Sequence, residues 1–153
     1  NNPSVIVLSR QKLPFITETL SNKNMSAMGA YEIKTNNNIE VTLVASGSEV
    51  HIAIEASNKL MKENINAKVI SMPCQELFDK QSTDYKNKIL GKNSVIISIE
   101  ASSVFGWEKY TGSKGISLGM KSFGKSAPYN DLYKHFKLTS DDVVKTAKKM
   151  LRK

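Results

Sequence analysis

Two kinds of apolar pattern alternate along this chain. Short, nearly continuous apolar runs are typical of strands covered on both faces, and apolar residues that recur every three or four positions are typical of one helix face. The predicted strands are 4–8, 30–34, 41–45, 67–71, 94–99 and 116–118. The alternation of strands with helical stretches indicates an α/β domain with a mostly parallel sheet.

The transition after the strand at 41–45 is the best defined. Gly47 ends this strand, and the change of apolar period predicts a helix over 49–63. Ser48 fits the N-cap position, and Glu49 lies in the first turn, where the helix dipole favours negative charge. The predicted buried face of the helix consists of Val50, Ala53, Ile54, Leu60 and Met61.

The connections between the predicted strands define a topology. A turn rich in Thr and Asn separates 30–34 from the strand that returns at 39–45, which predicts an antiparallel pair. The spacing from this strand through the helix to 67–71 predicts a right-handed unit with parallel strands. We therefore expect a three-layer α/β/α domain with about five strands, of which one is antiparallel.

In the second half of the domain, residues 76–88 are predicted to be irregular with short helical pieces. Two helices are predicted at the end of the chain. The residues from Thr139 to Asp142 resemble a capping box with Asp in place of the usual Glu. The predicted buried stripe of the last helix consists of Val143, Val144, Ala147 and Leu151.

The first predicted strand, at 4–8, has no local partner. The residues at 12–28 lack sustained periodicity, and structureless loops of this length are uncommon inside compact domains. We therefore expect 1–11 to be the last strand of a truncated preceding domain, 12–28 to be an interdomain linker and 29–153 to be the α/β domain. The start without Met favours a fragment.

Composition and charge define the class of protein without selecting a ligand. The chain has 153 residues, of which 40% are hydrophobic and 24% charged, as is ordinary for a globular domain. Its 22 Lys and Arg residues against 14 Asp and Glu residues give a net charge of +8. This charge permits attraction to phosphorylated small molecules, nucleic acid or anionic surfaces. Because the basic residues are densest on the last predicted helix, we interpret them as a solvated face and expect neither nucleic acid nor membrane as a partner.

Cysteine usage and hydropathy indicate the compartment. Cys74 is the only cysteine, which excludes an intramolecular disulfide and favours a reducing, cytoplasmic location. Its place after Met72-Pro73 is more typical of a half-buried filler than of a nucleophile. No apolar run reaches membrane-spanning length, and we expect no signal peptide before the first strand.

The carboxyl ends of the parallel strands are where a ligand binds in an open sheet. The segments that follow the strands there are 46–49, 73–74 and 100–102. Glu49 and Glu100 could form an acid and base pair at this edge. Since no His follows a strand there, a structural role that caps backbone NH groups is favoured.

The turn after the strand at 41–45 is a candidate anion site formed by Ser46, Gly47 and Ser48. Backbone NH groups at the start of a helix can hold a phosphate, which would make the chain a regulatory module that binds a small anion or nucleotide. The turn matches neither Gly-x-Gly-x-x-Gly nor a P-loop, and Glu49 would repel an anion. A simple capped turn is therefore the alternative interpretation.

Other side chains that could carry chemistry are isolated in the sequence. His51 and His135 lie on separate predicted helices without a Cys or carboxylate at metal-ligand spacing, so no metal site is predicted. No arrangement of Ser, His and Asp indicates a catalytic triad. Trp107 and Tyr110 lie at helical spacing, which favours packing over a base-stacking platform.

Arg10 closes the unpartnered strand at its carboxyl end. A guanidinium there can hold a phosphate by two parallel hydrogen bonds. From the residues alone, a surface salt bridge is an equally good interpretation.

Six collinear motifs resemble transketolase C-terminal regions, and together they cover essentially the whole chain. They are Leu8-Ser9-Arg10-Gln11-Lys12-Leu13, Gly29-Ala30-Tyr31, Ala45-Ser46-Gly47-Ser48-Glu49-Val50, Ala67-Lys68-Val69-Ile70-Ser71-Met72-Pro73, Phe78-Asp79-Lys80-Gln81 and Phe123-Gly124-Lys125-Ser126-Ala127-Pro128. They distinguish transketolases from deoxyxylulose-phosphate synthases and pyruvate dehydrogenase β subunits. Two departures, Gly29-Ala30-Tyr31 for Gly-Gly-Tyr and Phe136-Lys137 for Phe-Gly, affect turn geometry only.

The resemblance implies an enzyme of the pentose phosphate pathway that moves a two-carbon ketol unit from a ketose phosphate to an aldose phosphate. Its preceding domains would bind thiamine diphosphate and a divalent cation, Mg or Ca, at the interface of a homodimer. No residue of this chain matches those ligands. The chain itself would be non-catalytic and structural, with the other domains and a second subunit as partners. Arg10 resembles the arginine of the family that contacts the sugar phosphate.

Overall fold

The computed structural model describes residues 3–16, 23–91 and 93–152. Within these residues, five strands form one mixed sheet in the order β1-β3-β2-β4-β5. They are β1 (Tyr31–Lys34), β2 (Val41–Ala45), β3 (Ala67–Ser71), β4 (Val95–Ser103) and β5 (Ile116–Met120). β1 is antiparallel to β3 and the other pairs are parallel, which confirms the predicted fold class.

Helices cover both faces of this sheet. They are α1 (Val50–Lys62), α2 (Gln75–Asp79), α3 (Thr83–Leu90), α4 (Glu108–Thr111), α5 (Tyr129–His135) and α6 (Ser140–Leu151). One hydrophobic core lies between the sheet and the pair α1 and α6, and a second lies between the opposite face and α2, α3 and α4. The predicted three-layer arrangement is therefore confirmed.

β2 is the central element, and all five of its residues are buried. Leu43 lies between Val69 of β3 and Ile97 of β4 in the parallel register. Successive side chains point to opposite faces of a strand, so Leu43 joins the core under α1 while Val44 joins the other core. Burial on both faces explains why this strand reads as one continuous apolar run.

The predicted pairing of β1 with β2 is wrong. β1 runs in the direction opposite to β2, but it pairs with β3, where Tyr31 lies opposite Ser71. Both edges of β2 are already occupied by the parallel strands β3 and β4. β1 therefore lies at the edge of the sheet, beside β3. This position suits it, since three of its four residues are only partly buried.

The predicted buried strand at 4–8 is not formed. Residues 3–9 have no regular secondary structure, and the side chains of Val5, Ile6, Val7 and Leu8 are 80 to 91% exposed. A strand needs a neighbouring strand to satisfy its NH and C=O groups, and no described residue pairs with this segment.

The residues after this segment lie against the α/β domain. Gln11, Leu13 and Ile16 are half-buried, and Ile16 packs against the core under α1 and α6. Within the predicted linker at 12–28, residues 17–22 lie outside the described residues.

The buried face of α1 differs from the predicted one because α1 packs against α6. The buried residues of α1 are Val50, Ile52, Ala53, Ala56, Ser57 and Leu60, whereas Met61 is 40% exposed. Val143 and Ala147 of α6 are completely buried, so the buried face of α1 turns toward them. The predicted capping box of α6 is present, with Thr139 N donating to Asp142 Oδ2 at 3.2 Å and Asp142 N donating to Thr139 Oγ1 at 3.3 Å.

Gly29 lies just before β1 at a place that admits no side chain. Its backbone has φ 79°, and a Cβ atom there would lie 2.1 Å from Phe78 N. The Gly29 carbonyl also accepts a hydrogen bond from Cys74 N at 3.1 Å. The chain before β1 is therefore held against the loop between β3 and α2.

Candidate functional site at the carboxyl edge of the sheet

The three segments that were predicted to meet at the carboxyl edge of the sheet do meet there. Ser46, Pro73, Cys74 and Glu100 line one cavity of about 240 Å³. β4 continues to Ser103, so the third segment belongs to the strand itself rather than to a loop after it. The edge is thus assembled from β2, β3 and β4, as expected for parallel neighbours.

Glu49 is a buried carboxyl group at this edge, only 2% exposed. Its Oε1 accepts hydrogen bonds from the Ser48 hydroxyl at 2.7 Å and from the Tyr133 hydroxyl at 2.6 Å. Its Oε2 accepts from Ala101 N at 3.1 Å. These donors compensate the cost of burying a carboxyl group. Glu49 therefore joins the turn after β2 to β4 and α5, in agreement with its predicted structural role.

The Ser46-Gly47-Ser48 turn, the candidate anion site, leads into a 3₁₀ turn at Gly47–Glu49. The two NH groups that follow this turn are already engaged, since Glu49 N donates to the Ser46 carbonyl and Val50 N to the Gly47 carbonyl. The hydroxyl of Ser48 donates to Glu49, so Ser48 does not cap α1, whose N-cap position is Glu49. The geometry does not favour an anion at this turn, and anion binding there stays a prediction.

Glu100 is half-buried and faces the cavity beside Cys74. Burial, with a smaller contribution from the nearby Glu49 carboxyl, raises the pKa of Glu100 to about 7. A carboxyl group that titrates near neutral pH can donate or accept a proton. Neither His51 on α1 nor His135 on α5 is among the residues that line this cavity, so Glu100 has no imidazole partner there.

Cys74 is half-buried, as predicted. Its Sγ donates a hydrogen bond to Glu76 Oε2 at 3.4 Å. Activated thiols lie in electropositive surroundings, which stabilise the thiolate. A neighbouring carboxylate disfavours the thiolate instead. The thiol is therefore not arranged as a nucleophile.

Trp107 and Tyr110 have the predicted packing role. They are 2% and 6% exposed, and their rings meet edge to face at 5.9 Å in the core under α4. The Tyr110 hydroxyl donates to Asp79 Oδ1 at 3.1 Å. Burial first, and then this hydrogen bond, raise the pKa of Tyr110. Neither ring offers a free face to a nucleic-acid base.

Arg10 is exposed, and no hydrogen bond or ion pair within the described residues engages its guanidinium group. The next residue, Gln11, lines a cavity of about 300 Å³ together with Ser48 and Tyr133. Arg10 thus lies beside the same edge of the sheet. Its role as a phosphate ligand stays a prediction.

Tyr133 and Gln11 are residues at this edge that sequence reasoning did not single out. The Tyr133 hydroxyl reaches Glu49, 84 positions away in the chain, so no local pattern links the two. Burial first, and then the Glu49 hydrogen bond, raise the pKa of Tyr133 to about 12. The sequence indicates only that a buried tyrosine hydroxyl needs a hydrogen-bond partner, and it does not indicate which residue supplies one.

Neither a metal site nor a membrane span can be assigned in the part of the chain that the structure describes. No group of three His, Cys, Asp or Glu side chains in 3–16, 23–91 and 93–152 is placed to hold a metal ion. The helices of the same residues are too short or too polar to cross a membrane.

The chain is similar to known proteins over its whole length. The family model described as "Transketolase-like TK C-terminal domain" matches residues 29–139. A transketolase of Sinorhizobium medicae (strain WSM419) is 46% identical over 155 residues, which are 100% of this chain and 22% of that protein. The chloroplastic transketolase of Solanum tuberosum is 41% identical over 152 residues, which are 97% of this chain and 20% of that protein.

The fold is similar as well. The crystal structure of a transketolase mutant from Pichia stipitis superposes with a TM-score of 0.85 and 34% identity, covering 94% of this chain and 20% of that chain. The present chain thus spans about a fifth of the length of these relatives.

Proposed function

This chain belongs to the transketolase family and matches its C-terminal domain, and we propose that the complete polypeptide transfers a two-carbon ketol unit from a ketose phosphate to an aldose phosphate. The observation that carries the proposal is 46% identity to a transketolase over the full extent of this chain. Because the chain spans only about a fifth of its relatives, the activity is proposed for the complete polypeptide and not for residues 1–153 alone.

The role proposed for this chain itself is structural. When bound, thiamine diphosphate supplies the carbanion chemistry of ketol transfer. Among the described residues, no group of three His, Cys, Asp or Glu side chains is placed to hold the cation of that cofactor, Mg or Ca. We therefore assign no residue of this chain to either, and we place both in the preceding domains.

The proposed partners are those preceding domains, a second subunit of a homodimer and sugar phosphates. The exposed apolar residues Val5, Ile6, Val7 and Leu8 support a place for 1–11 in the sheet of a preceding domain, since a run of this kind is stable when another strand covers it. The single cysteine, Cys74, supports a cytoplasmic location.

Arg10 is the proposed contact to the substrate phosphate. It is exposed and unpaired within the described residues, whereas a structural arginine would be expected to meet a carboxylate. Guanidinium groups match the two-oxygen geometry of a phosphate. The net charge of +8 adds a favourable long-range field for an anionic substrate.

The test is the Arg10→Ala variant of the complete polypeptide. One charge-assisted hydrogen bond contributes about 1.5 to 3 kcal/mol, so we expect KM for a ketose phosphate to rise about tenfold or more. KM for the same ketose without its phosphate should remain within about twofold of the parent value. Steady-state kinetics with the two donors measures both values.

Lys12→Ala is the matched control, because Lys12 is an exposed cation two positions away. An equal effect of Arg10→Ala on the two donors would contradict the phosphate role. Ketol transfer by residues 1–153 alone would contradict the structural role of this chain.

A further inference from the structure

Two phenylalanine side chains lie almost completely in solvent at the carboxyl ends of β4 and β5. Phe105 is 90% exposed and Phe123 is 97% exposed. The two strands end side by side, with Ser103 opposite Met120 in the parallel register, and each phenylalanine follows its strand directly afterwards. A buried aromatic side chain removes about 150 to 250 Å² from water, so the two leave roughly 300 Å² of apolar surface uncovered. An exposed apolar surface of this size is typical of an interaction site.

A groove with a volume of about 740 Å³ lies between the ends of these strands, and Val104 and Phe123 are among the residues that line it. Its outer wall belongs to the segment 121–128, which forms no helix or strand and whose residues are all exposed. The motif at 123–128 is part of this segment. No described element covers it, so the packing of the α/β domain does not account for Phe123.

The chain enters the domain next to this groove. Gln11 is half-buried and lines the cavity of about 300 Å³, whereas residues 3–10 before it are all exposed. Ala101, Met120 and Gly124 line both this cavity and the groove, so the two are contiguous. Whatever precedes Gln11 therefore approaches the domain beside the exposed phenylalanines.

We propose that the preceding domain of the same polypeptide docks on the carboxyl ends of β4 and β5 and receives Phe105 and Phe123 in an apolar surface of its own. This inference rests on the proposed function, in which further domains precede this chain and the segment 1–11 completes the sheet of one of them.

The length of the connection supports this occupant. When residues 5–8 form a strand of the preceding sheet, only residues 9 and 10 separate that strand from Gln11. Three steps between consecutive Cα atoms span at most about 11 Å. The edge of the preceding sheet then lies directly beside Gln11, in a position from which its domain reaches the groove.

Charge argues against a second copy of this chain as the occupant. Lys125 lines the cavity beside Gln11 and Lys121 lines the groove, and the structure shows no ion pair for either within the described residues. No carboxylate is among the residues that line the two spaces. A symmetric contact between two copies would bring these cations together. The partner surface expected here is apolar, with carboxylates at its rim.

The test is cysteine accessibility in the complete polypeptide with Phe105→Cys and, separately, Phe123→Cys. Ser113→Cys is the matched control, since Ser113 is exposed in the turn before β5, at the opposite end of the sheet. Relative to the polypeptide unfolded in urea, we expect a maleimide to react at least about tenfold more slowly at positions 105 and 123 and within about threefold at position 113. Mass spectrometry of the digested protein measures each rate. Unslowed reaction at 105 and 123 would overturn the proposal.

Hydrogen exchange of the unmodified complete polypeptide is the second measurement, because a substitution can itself weaken docking or folding. Residues 121–127 have no helix or strand to protect their amides, so slow exchange there requires a cover from outside the domain. Exchange at the rate of an unstructured peptide would contradict the docking.

Dilution and an activity assay separate the remaining outcomes. If the protection disappears when the protein is diluted to the monomer, a second subunit covers the groove and the proposed occupant is wrong. If the polypeptide transfers a ketol unit while positions 105 and 123 react freely, the inference is wrong and the proposed function stands. If both positions are protected at every concentration and no ketol unit is transferred, the docking surface is supported and the proposed function is wrong.

Discussion

Two apolar segments of similar composition have opposite fates in this molecule. The residues of β2, Val41–Ala45, are completely buried between two parallel neighbours. The residues Val5, Ile6, Val7 and Leu8 are at least as apolar, yet they are 80 to 91% exposed and form no strand. A continuous apolar run can therefore form a strand that is buried on both faces. It does so only where neighbouring strands and helices are present to cover it.

The largest effect is expected where the partners are present. Leu43→Asp places a carboxyl group between β3 and β4, in a core without a partner for it. We expect a loss of about 4 kcal/mol or more, which is enough to unfold a domain of ordinary stability. Circular dichroism during denaturant unfolding measures it.

Leu43→Met is the matched control, since it keeps the volume and the apolar character of the side chain. It should cost less than about 1.5 kcal/mol. A folded Leu43→Asp variant of nearly normal stability would show that β2 is not the centre of the core.

A smaller effect is expected at Glu49, in the turn that follows β2. Glu49→Ala leaves Ala101 N and the Tyr133 hydroxyl without their acceptor. Each buried donor left unsatisfied costs about 1 to 3 kcal/mol, so we expect a loss of about 2 to 3 kcal/mol in the free energy of unfolding.

Glu55→Ala is the control for Glu49→Ala, because Glu55 is exposed on α1 and forms an ion pair with Lys59 at the surface. Its loss should stay near 0.5 kcal/mol. Equal losses for the two variants in urea unfolding would contradict the structural importance of the buried carboxyl group.

The pH dependence of Glu100 gives a third, smaller effect. Its pKa is about 7 in the folded domain against 4.5 for an unperturbed group, so the folded state binds the proton more tightly. The resulting stability is fully present below pH 4.5 and is lost as pH rises through 7. Allowing for solvent around this half-buried group, we expect a decline of about 1 to 2 kcal/mol.

Glu100→Gln should remove this decline and make the domain more stable than the parent at pH 8. Glu108→Gln, at an exposed position near the same edge, should leave the decline unchanged. Denaturant midpoints measured from pH 4 to 8 test both. If the stability of the parent protein rises over this pH range, burial does not raise the pKa of Glu100 in the folded domain.

The difference between the two apolar segments also explains what the sequence could predict. Elements whose signals are local, such as β3 at Ala67–Ser71 and the capping box of α6 at Thr139, were predicted at their observed places. The pairing of β1 with β3 could not be predicted, because the turn before β2 suggests a hairpin and only the crossover through α1 brings β3 between them.

The candidate site divides in the same way. The meeting of Ser46, Cys74 and Glu100 follows from the parallel order of three strands, which the sequence indicates. The hydrogen bond between Glu49 and Tyr133 depends on how α5 docks, and no spacing in the sequence encodes that. Long-range side-chain contacts were therefore the part that required the structure.

The smallest effect is expected at the exposed segment, with Ile6→Asp. In residues 1–153 the Ile6 side chain is 80% exposed, so the change in unfolding free energy should remain within about 0.5 kcal/mol. In the complete polypeptide, where we propose that 1–11 completes the sheet of a preceding domain, the same carboxyl group would be buried and should cost about 3 kcal/mol or more. Denaturant unfolding of both proteins measures the contrast. Near-zero effects in both would contradict the proposed place of this segment, because an apolar strand inserted in a sheet cannot accept a carboxyl group without cost.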